Sequence, residues 1–183
     1  MNKYLRSEVY EKNHKYNRWI KGGFGTPVKY ADPCKSLFER FTSLFSPPVS
    51  KIIYKNNLRT EAQHIASGQK IITDAPLDNN GKGEAFSPTD LLASSLVSCV
   101  MTIIGIAAGR DGIEIISMRA DVSKEMGANP RRVAKVCAMI DINLKGASEE
   151  DAERLKRIGL ACPVARSLSD DFVQDINFNI NLG

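Results

Sequence analysis

From residue 51 onward the sequence predicts an α+β fold in the order β-β-β-α-β-β-α-β, with a long buried helix at its centre. Three observations carry this reading. Apolar and polar residues alternate after residue 115, the period of a strand with one buried face. A run of nineteen uncharged residues, Leu91 to Gly109, is framed by helix start and stop signals. A second set of helix start signals opens at Ser148.

The elements follow in order. Lys51–Tyr54 and Leu58–Ile65 read as strands, a turn falls at Ala66-Ser67-Gly68-Gln69, and Lys70–Asp74 is a third strand. The polar loop Asp78-Asn79-Asn80-Gly81-Lys82-Gly83-Glu84 is expected to be mobile. Ser87 is a good helix N-cap, and Pro88 follows at the first helical position, where a missing N–H costs nothing. Asp90 completes a capping box and suits the positive end of the helix. Arg110 falls in the last turn and Gly112 can close it.

Ile116, Met118, Ala120 and Val122 then alternate with Ser117, Arg119, Asp121 and Ser123, and Gly127-Ala128-Asn129-Pro130 turns the chain. Ala134, Val136, Ala138, Ile140, Ile142 and Leu144 form the inward face of the partner strand. Ser148-Glu149-Glu150-Asp151 is a second capping box, opening a helix to about Ala161, which Cys162-Pro163 breaks or restarts. Ile176, Phe178, Ile180 and Leu182 mark the last strand.

The nineteen-residue run approaches the roughly 20 residues that span a bilayer. Ser94, Ser95, Ser98 and Thr102 dilute it, no aromatic belt flanks it, and half-buried strands follow that need a surface to pack on. A core helix is the reading these features favour.

Residues 1–50 differ from 51–183. They hold nine Lys/Arg against four Asp/Glu, whereas the remainder is nearly balanced. The segment is therefore a basic N-terminal extension, with a short amphipathic helix expected over 33–45 and a boundary at Pro47-Pro48. No recognition motif accompanies the charge, so a solvated tail is favoured over a nucleic-acid arm. Met1 to Arg18 lacks an apolar stretch, so no signal peptide is expected.

The chain has four cysteines, Cys34, Cys99, Cys137 and Cys162, and only two histidines. No C-x-x-C or zinc spacing occurs, so no metal is expected, and a cytoplasmic protein with reduced thiols follows. Cys99, in mid-helix, reads either as a small core residue or as a presented thiol. Cys162 would be the N-cap of a helical segment from Pro163 to Leu168, with Arg166 within a turn. That setting favours a thiolate, while the plain alternative is a kinked helix with an incidental cysteine.

Against this background "SPTDLLASSLVSCV" at 87–100 and "ACPVA" at 161–165 resemble the two cysteine motifs of the OsmC/Ohr family, the osmotically induced and organic-hydroperoxide-resistance proteins. "LRTEAQH" at 58–64 fits the same pattern, and the resemblance spans about 51–183. It implies an OsmC-like fold, an intertwined homodimer with sites at the subunit interface, and thiol-dependent reduction of organic hydroperoxides by a cytoplasmic protein without cofactor. An external dithiol or lipoyl-type reductant is implied as partner, and no membrane. By position Cys99 matches the attacking thiol and Cys162 the resolving one, while Cys34 and Cys137 match no family site. The activating arginine would come from an early strand, which suggests Arg59, whose plain alternative is an exposed strand charge.

Thr89 stands where well-characterised hydroperoxide-resistance members carry a glutamate, which points to the broader OsmC-like branch. The acid that orients Arg59 is then Asp90 or Glu84. Asp90 lies nine residues before Cys99, roughly 13 Å along a helix, too far to touch the sulfur but able to hold an arginine. The missing glutamate also supports an alternative function, a non-enzymatic small-molecule or thiol-binding module on the same fold.

Overall fold

In the computed structural model residues 48–183 are described. Cys34, the helix expected over 33–45 and residues 1–47 of the basic extension lie outside the described residues.

The chain builds two sheets. Strands β1 (Ser50–Tyr54), β2 (Arg59–His64) and β3 (Lys70–Asp74) form an antiparallel sheet in sequence order. Strands β4 (Glu114–Ala128), β5 (Arg131–Lys145) and β6 (Val173–Leu182) form the second, with β4 antiparallel and β6 parallel to β5. The parallel pairing requires a crossover. Helices α2 (Glu149–Leu160) and α3 (Pro163–Arg166) supply it. Between the sheets in sequence runs α1 (Pro88–Arg110). The topology is the α+β arrangement expected, with a mixed second sheet and α1 as its central helix.

Both capping boxes form. The Ser87 hydroxyl accepts from the Asp90 amide, and the Asp90 carboxylate accepts from the Ser87 amide. Ser148 and Asp151 repeat the arrangement at the start of α2. At the far end of α1, Gly112 takes the left-handed conformation, φ 71°, that closes a helix. The core is the packing of Leu96, Val97, Val100 and Ile104 of α1 against β5, through Val136, Ile140, Ile142 and Leu144, and against Leu155 of α2. Gly159 lets α2 approach: a Cβ there would lie 2.7 Å from Ile104 Cγ1.

Four expectations need correction. First, α1 is among the described residues the helix long and apolar enough to cross a bilayer, but it is not buried all round. One face is closed over by β5 and α2, whereas Ile106 on the other is 63% exposed. Second, a register shift between Ile115 and Ser117 leaves Ile116 outward and 59% exposed, while Ile115 packs on the core. Simple alternation cannot register such a bulge. Third, β4 continues through Gly127 and Ala128, so the turn is only Asn129-Pro130.

The fourth concerns β5: a second register shift, between Glu125 and Met126, leaves Ala134 unpaired, and Val133 packs on the core in its place. The loop before α1 is shaped by its own backbone hydrogen bonds. Leu77–Asn79 forms a single 3₁₀ turn, the Gly81 amide donates to Pro76 O and the Gly83 amide to Ala75 O. Gly81 lies so close that a Cβ would fall 1.7 Å from Ala75 O. The glycines serve tight packing here, which composition alone does not separate from looseness.

Candidate active site

Cys99 lies in the middle of α1, half-buried and packed against the core. It shares a helix face with Leu92, Ser95, Thr102 and Ile106, residues three or four positions apart, and this face is the open one. Cys162 sits where α2 ends. Its amide donates to Gly159 O at 3.0 Å, and Pro163 then starts α3 with Cys162 as N-cap. The Ala165 amide donates to Cys162 Sγ at 3.4 Å. Cys162 is 1% exposed, and Cys99 is its neighbour across the packing of α1 on α3.

The expected thiolate at Cys162 is corrected by this burial. Desolvation pushes the Cys162 thiol up, and the adjacent Cys99 thiol pushes the same way, against the Ala165 amide. A four-residue helix contributes too little dipole to reverse the desolvation.

Arg59 occupies the first position of β2, directly opposite Asp74 at the end of β3. Its Nη2 donates to Asp74 Oδ2 at 2.9 Å and to Glu84 Oε2 at 2.6 Å. The Glu84 amide donates to the same Asp74 oxygen at 3.1 Å. Hydrogen bonding to Arg59 holds the Asp74 carboxyl below the usual carboxylate range despite its burial. The two acids, Asp74 first, raise the guanidinium's pKa in turn. Glu61, nearby on β2, is paired instead with Lys70 at 2.9 Å and Lys55 at 3.7 Å.

The backbone entering Arg59 is strained. Asn56, Asn57 and Leu58 have φ of 67°, 50° and 62°. Asparagine tolerates this region, but leucine does so at a cost of about 1 kcal/mol or more. Two hydrogen bonds hold Leu58: its amide donates to the Tyr54 hydroxyl, and its carbonyl accepts from the Ala75 amide.

Asp90 belongs to a third group. Its Oδ2 accepts from the Ser87 amide and hydroxyl, both at 2.7 Å, and its Oδ1 is ion-paired with Lys124 of β4. Burial pushes the Asp90 carboxyl up, but the bonds from Lys124 and Ser87 outweigh it and the pKa ends low. Thr89, at the position of the family glutamate, hydrogen-bonds the Ser87 hydroxyl at 2.9 Å. A cleft of about 600 Å³ opens beside this corner, lined by Glu84, Phe86, Asp90, Ala93, Ser94 and Lys124 among others.

The structure thus brings together Cys99 with Cys162, and Arg59 with Glu84. Of the two acids left open by sequence, Glu84 meets Arg59 and Asp90 is engaged by Lys124. The side-chain partners of Arg59 are carboxylates, and neither thiol is among them. Cys137 is a β5 residue, its Sγ 3.8 Å from Glu125 Oε1. No group of three His, Cys, Asp or Glu side chains that could hold a metal ion occurs among the described residues.

Sequence reasoning missed Asp74 and Lys124. The signal for Asp74 was available: a hairpin closing at residues 65–69 pairs Gln63 with Lys70 and therefore Arg59 with Asp74. Opposite charges directly across two strands are a stabilising pair. Lys124 had no comparable local signal, because its partner is on another element.

Comparison with known proteins places these features in a wider group. The profile of the OsmC-like protein family matches residues 81–176. The solved structure of a candidate osmotic stress induced and detoxification response protein from Psychrobacter arcticus 273-4 is 46% identical, covering 73% of this chain and 97% of that one, with a TM-score of 0.67. An organic hydroperoxide resistance protein OsmC from Legionella pneumophila is 16% identical over 75% of this chain and 98% of its own, with a TM-score of 0.51, a likeness of fold alone. A 46-residue stretch is also 46% identical to mitochondrial carotenoid-cleaving dioxygenases of Macaca fascicularis and Pongo abelii, amounting to 25% of this chain but only 8% of theirs.

Proposed function

The chain belongs to the OsmC/Ohr family, and on that premise we propose that it is a thiol-dependent peroxidase that reduces organic hydroperoxides through Cys99 and Cys162. The observation that carries this reading is the juxtaposition of the two thiols where α1 packs on α3.

The Cys99 thiolate attacks the distal oxygen of the hydroperoxide. The O–O bond breaks, the alkoxide takes a proton and leaves as the alcohol, and Cys99 becomes a sulfenic acid. The Cys162 sulfur then attacks Cys99 Sγ, a disulfide forms, and the hydroxyl leaves as water with the Cys162 proton. A buried resolving thiol with a raised pKa suits this order, because it is a poor first nucleophile toward peroxide. An external dithiol, of lipoyl type by family resemblance, reopens the disulfide. No metal or organic cofactor enters.

Arg59, paired with Glu84, is the cation that stabilises the negative charge developing on oxygen as the O–O bond breaks. Asp90 serves the same site at one remove, by capping the helix that carries Cys99. We propose that the functional unit is a homodimer with its sites at the subunit interface, working in the cytoplasm away from membranes and nucleic acid. Supporting this are the open face of α1 around Cys99 and the exposed apolar residues of the first sheet, Ile52, Ile53, Ile71 and Ile72. Ile52 and Ile71 lie on one face of that sheet and Ile53 and Ile72 on the other, so a monomer leaves apolar surface in water on both, and such exposure marks association.

The test is a thiol count. Reduced protein treated with cumene hydroperoxide is expected to lose two of its four thiols rapidly, with one alcohol formed per pair. Survival of all four thiols in excess peroxide would leave the non-enzymatic binding module as the better reading.

A further inference from the structure

We infer that Asp74 is the positioning residue of this site: one oxygen of its buried carboxylate holds both the Arg59 guanidinium and the Glu84 backbone, so that arginine and glutamate are presented as one unit. The inference rests on the reading of Arg59 as the activating cation.

The geometry is a closed triangle. Arg59 Nη2 meets Asp74 Oδ2 at 2.9 Å and Glu84 Oε2 at 2.6 Å, and the Glu84 amide returns to Asp74 Oδ2 at 3.1 Å. Its two carboxylates are not equivalent. The Asp74 side chain is 0% exposed and that of Glu84 is 58% exposed. Water and salt weaken the outer contact, and an exposed pair holds geometry poorly. The inner contact is shielded, and a buried carboxylate that lost its cation would be left uncompensated. Asp74 Oδ1 is buried and has no hydrogen-bond partner among the described residues, so the carboxylate's pairing runs through the oxygen that Arg59 and Glu84 share.

Independent support comes from the chain on either side. Leu58, immediately before Arg59, is kept in a left-handed conformation by the Ala75 amide, immediately after Asp74. Strain that persists at one corner, beside a cross-strand pair in register, marks a place where the fold over-determines a side chain. The loop before α1 extends the same logic to Glu84, whose amide Asp74 fixes directly.

Two readouts test the assignment. The first is the NMR signal of the Arg59 guanidinium, identified by its loss in Arg59→Lys. Restricted Nη protons are expected in the wild type, retained in Glu84→Gln and lost in Asp74→Asn. Loss in Glu84→Gln, or retention in Asp74→Asn, overturns the assignment, and Glu84→Gln decides the matter even if Asp74→Asn fails to fold. The second is the rate of Cys99 oxidation by cumene hydroperoxide. Asp74→Asn is expected to slow it about tenfold or more, as displaced catalytic groups do. Adding Asp74→Asn to Arg59→Ala should cost nothing further, because Asp74 acts through Arg59. Additive losses would assign Asp74 a merely structural role. Wild-type thiols inert to hydroperoxide would overturn the peroxidase reading instead, and the NMR readout would still decide Asp74.

Discussion

Cys99 and Cys162 are neighbours in space, yet they are held by opposite means. Cys99 projects from the middle of a 23-residue helix, half-buried, on the face that neither β5 nor α2 covers. Cys162 is sealed at a break between two helices, 1% exposed, with its sulfur accepting a backbone amide. On the proposed function, the difference separates two chemical tasks. A thiol that attacks an external substrate needs access and a nearby cation, whereas a thiol that attacks its neighbour needs only position.

The sharpest way to break this division is to remove each thiol alone. Cys99→Ser should abolish hydroperoxide-driven thiol loss, a fall of about a thousandfold or more in peroxide consumption. Cys162→Ser should leave the first oxidation within about threefold of wild type while stopping turnover. Its Cys99 sulfenic acid should be trapped by dimedone. Equal impairment of the first step in both variants would erase the distinction.

Access gives a milder contrast. Iodoacetamide at neutral pH should label Cys99 about tenfold faster than Cys162, since burial both hides the latter and pushes its pKa up. Peptide mass spectrometry at timed quenches reads this directly. The reverse order would contradict the assignment of roles.

Smaller effects come from α2, the helix that ends just before Cys162. Gly159→Ala places a Cβ against Ile104 and Val100. Overpacking of this kind costs about 1–3 kcal/mol, offset by up to ~1 kcal/mol of helix propensity. Urea denaturation should show the loss, and disulfide formation should slow without change in the first oxidation. Ser148→Ala removes the α2 cap and should cost about 1 kcal/mol in the same assay.

The Asp151 carboxyl is held at about 2, by Arg154 first and Ser148 second. A carboxyl depressed in the folded state stabilises above its unfolded pKa, near 4. That contribution is therefore expected to disappear as pH falls from about 4 to about 2, and a stability profile across that window checks it.

What was legible in the sequence was local. Ser87, Pro88 and Asp90 announce α1, and Ser148 and Asp151 announce α2, because a cap is decided within four residues. The alternation from Val136 to Leu144 gave the inward face of β5 correctly, because the bulge of that strand, at Ala134, lies before this stretch. The shift at Ile116 was invisible, since one extra residue on β4 is defined only by its pairing with β5. Arg59 and Glu84 were both singled out, yet Asp74 between them was not, because it emerges only once β2 and β3 are set in register. The burial of Cys162 was misjudged for a related reason. Helix-terminal chemistry can be read from neighbours in the chain, whereas desolvation depends on α1, far away in sequence.

One measurement bears most directly on the pairing of the two thiols. Reduced protein is given one equivalent of cumene hydroperoxide, quenched by alkylation, digested without reductant and examined by mass spectrometry. A single cross-linked species joining the Cys99 and Cys162 peptides, with Cys34 and Cys137 alkylated, is the expected result. Cross-links that instead involve Cys34 or Cys137, or Cys99 and Cys162 both recovered alkylated, would contradict it.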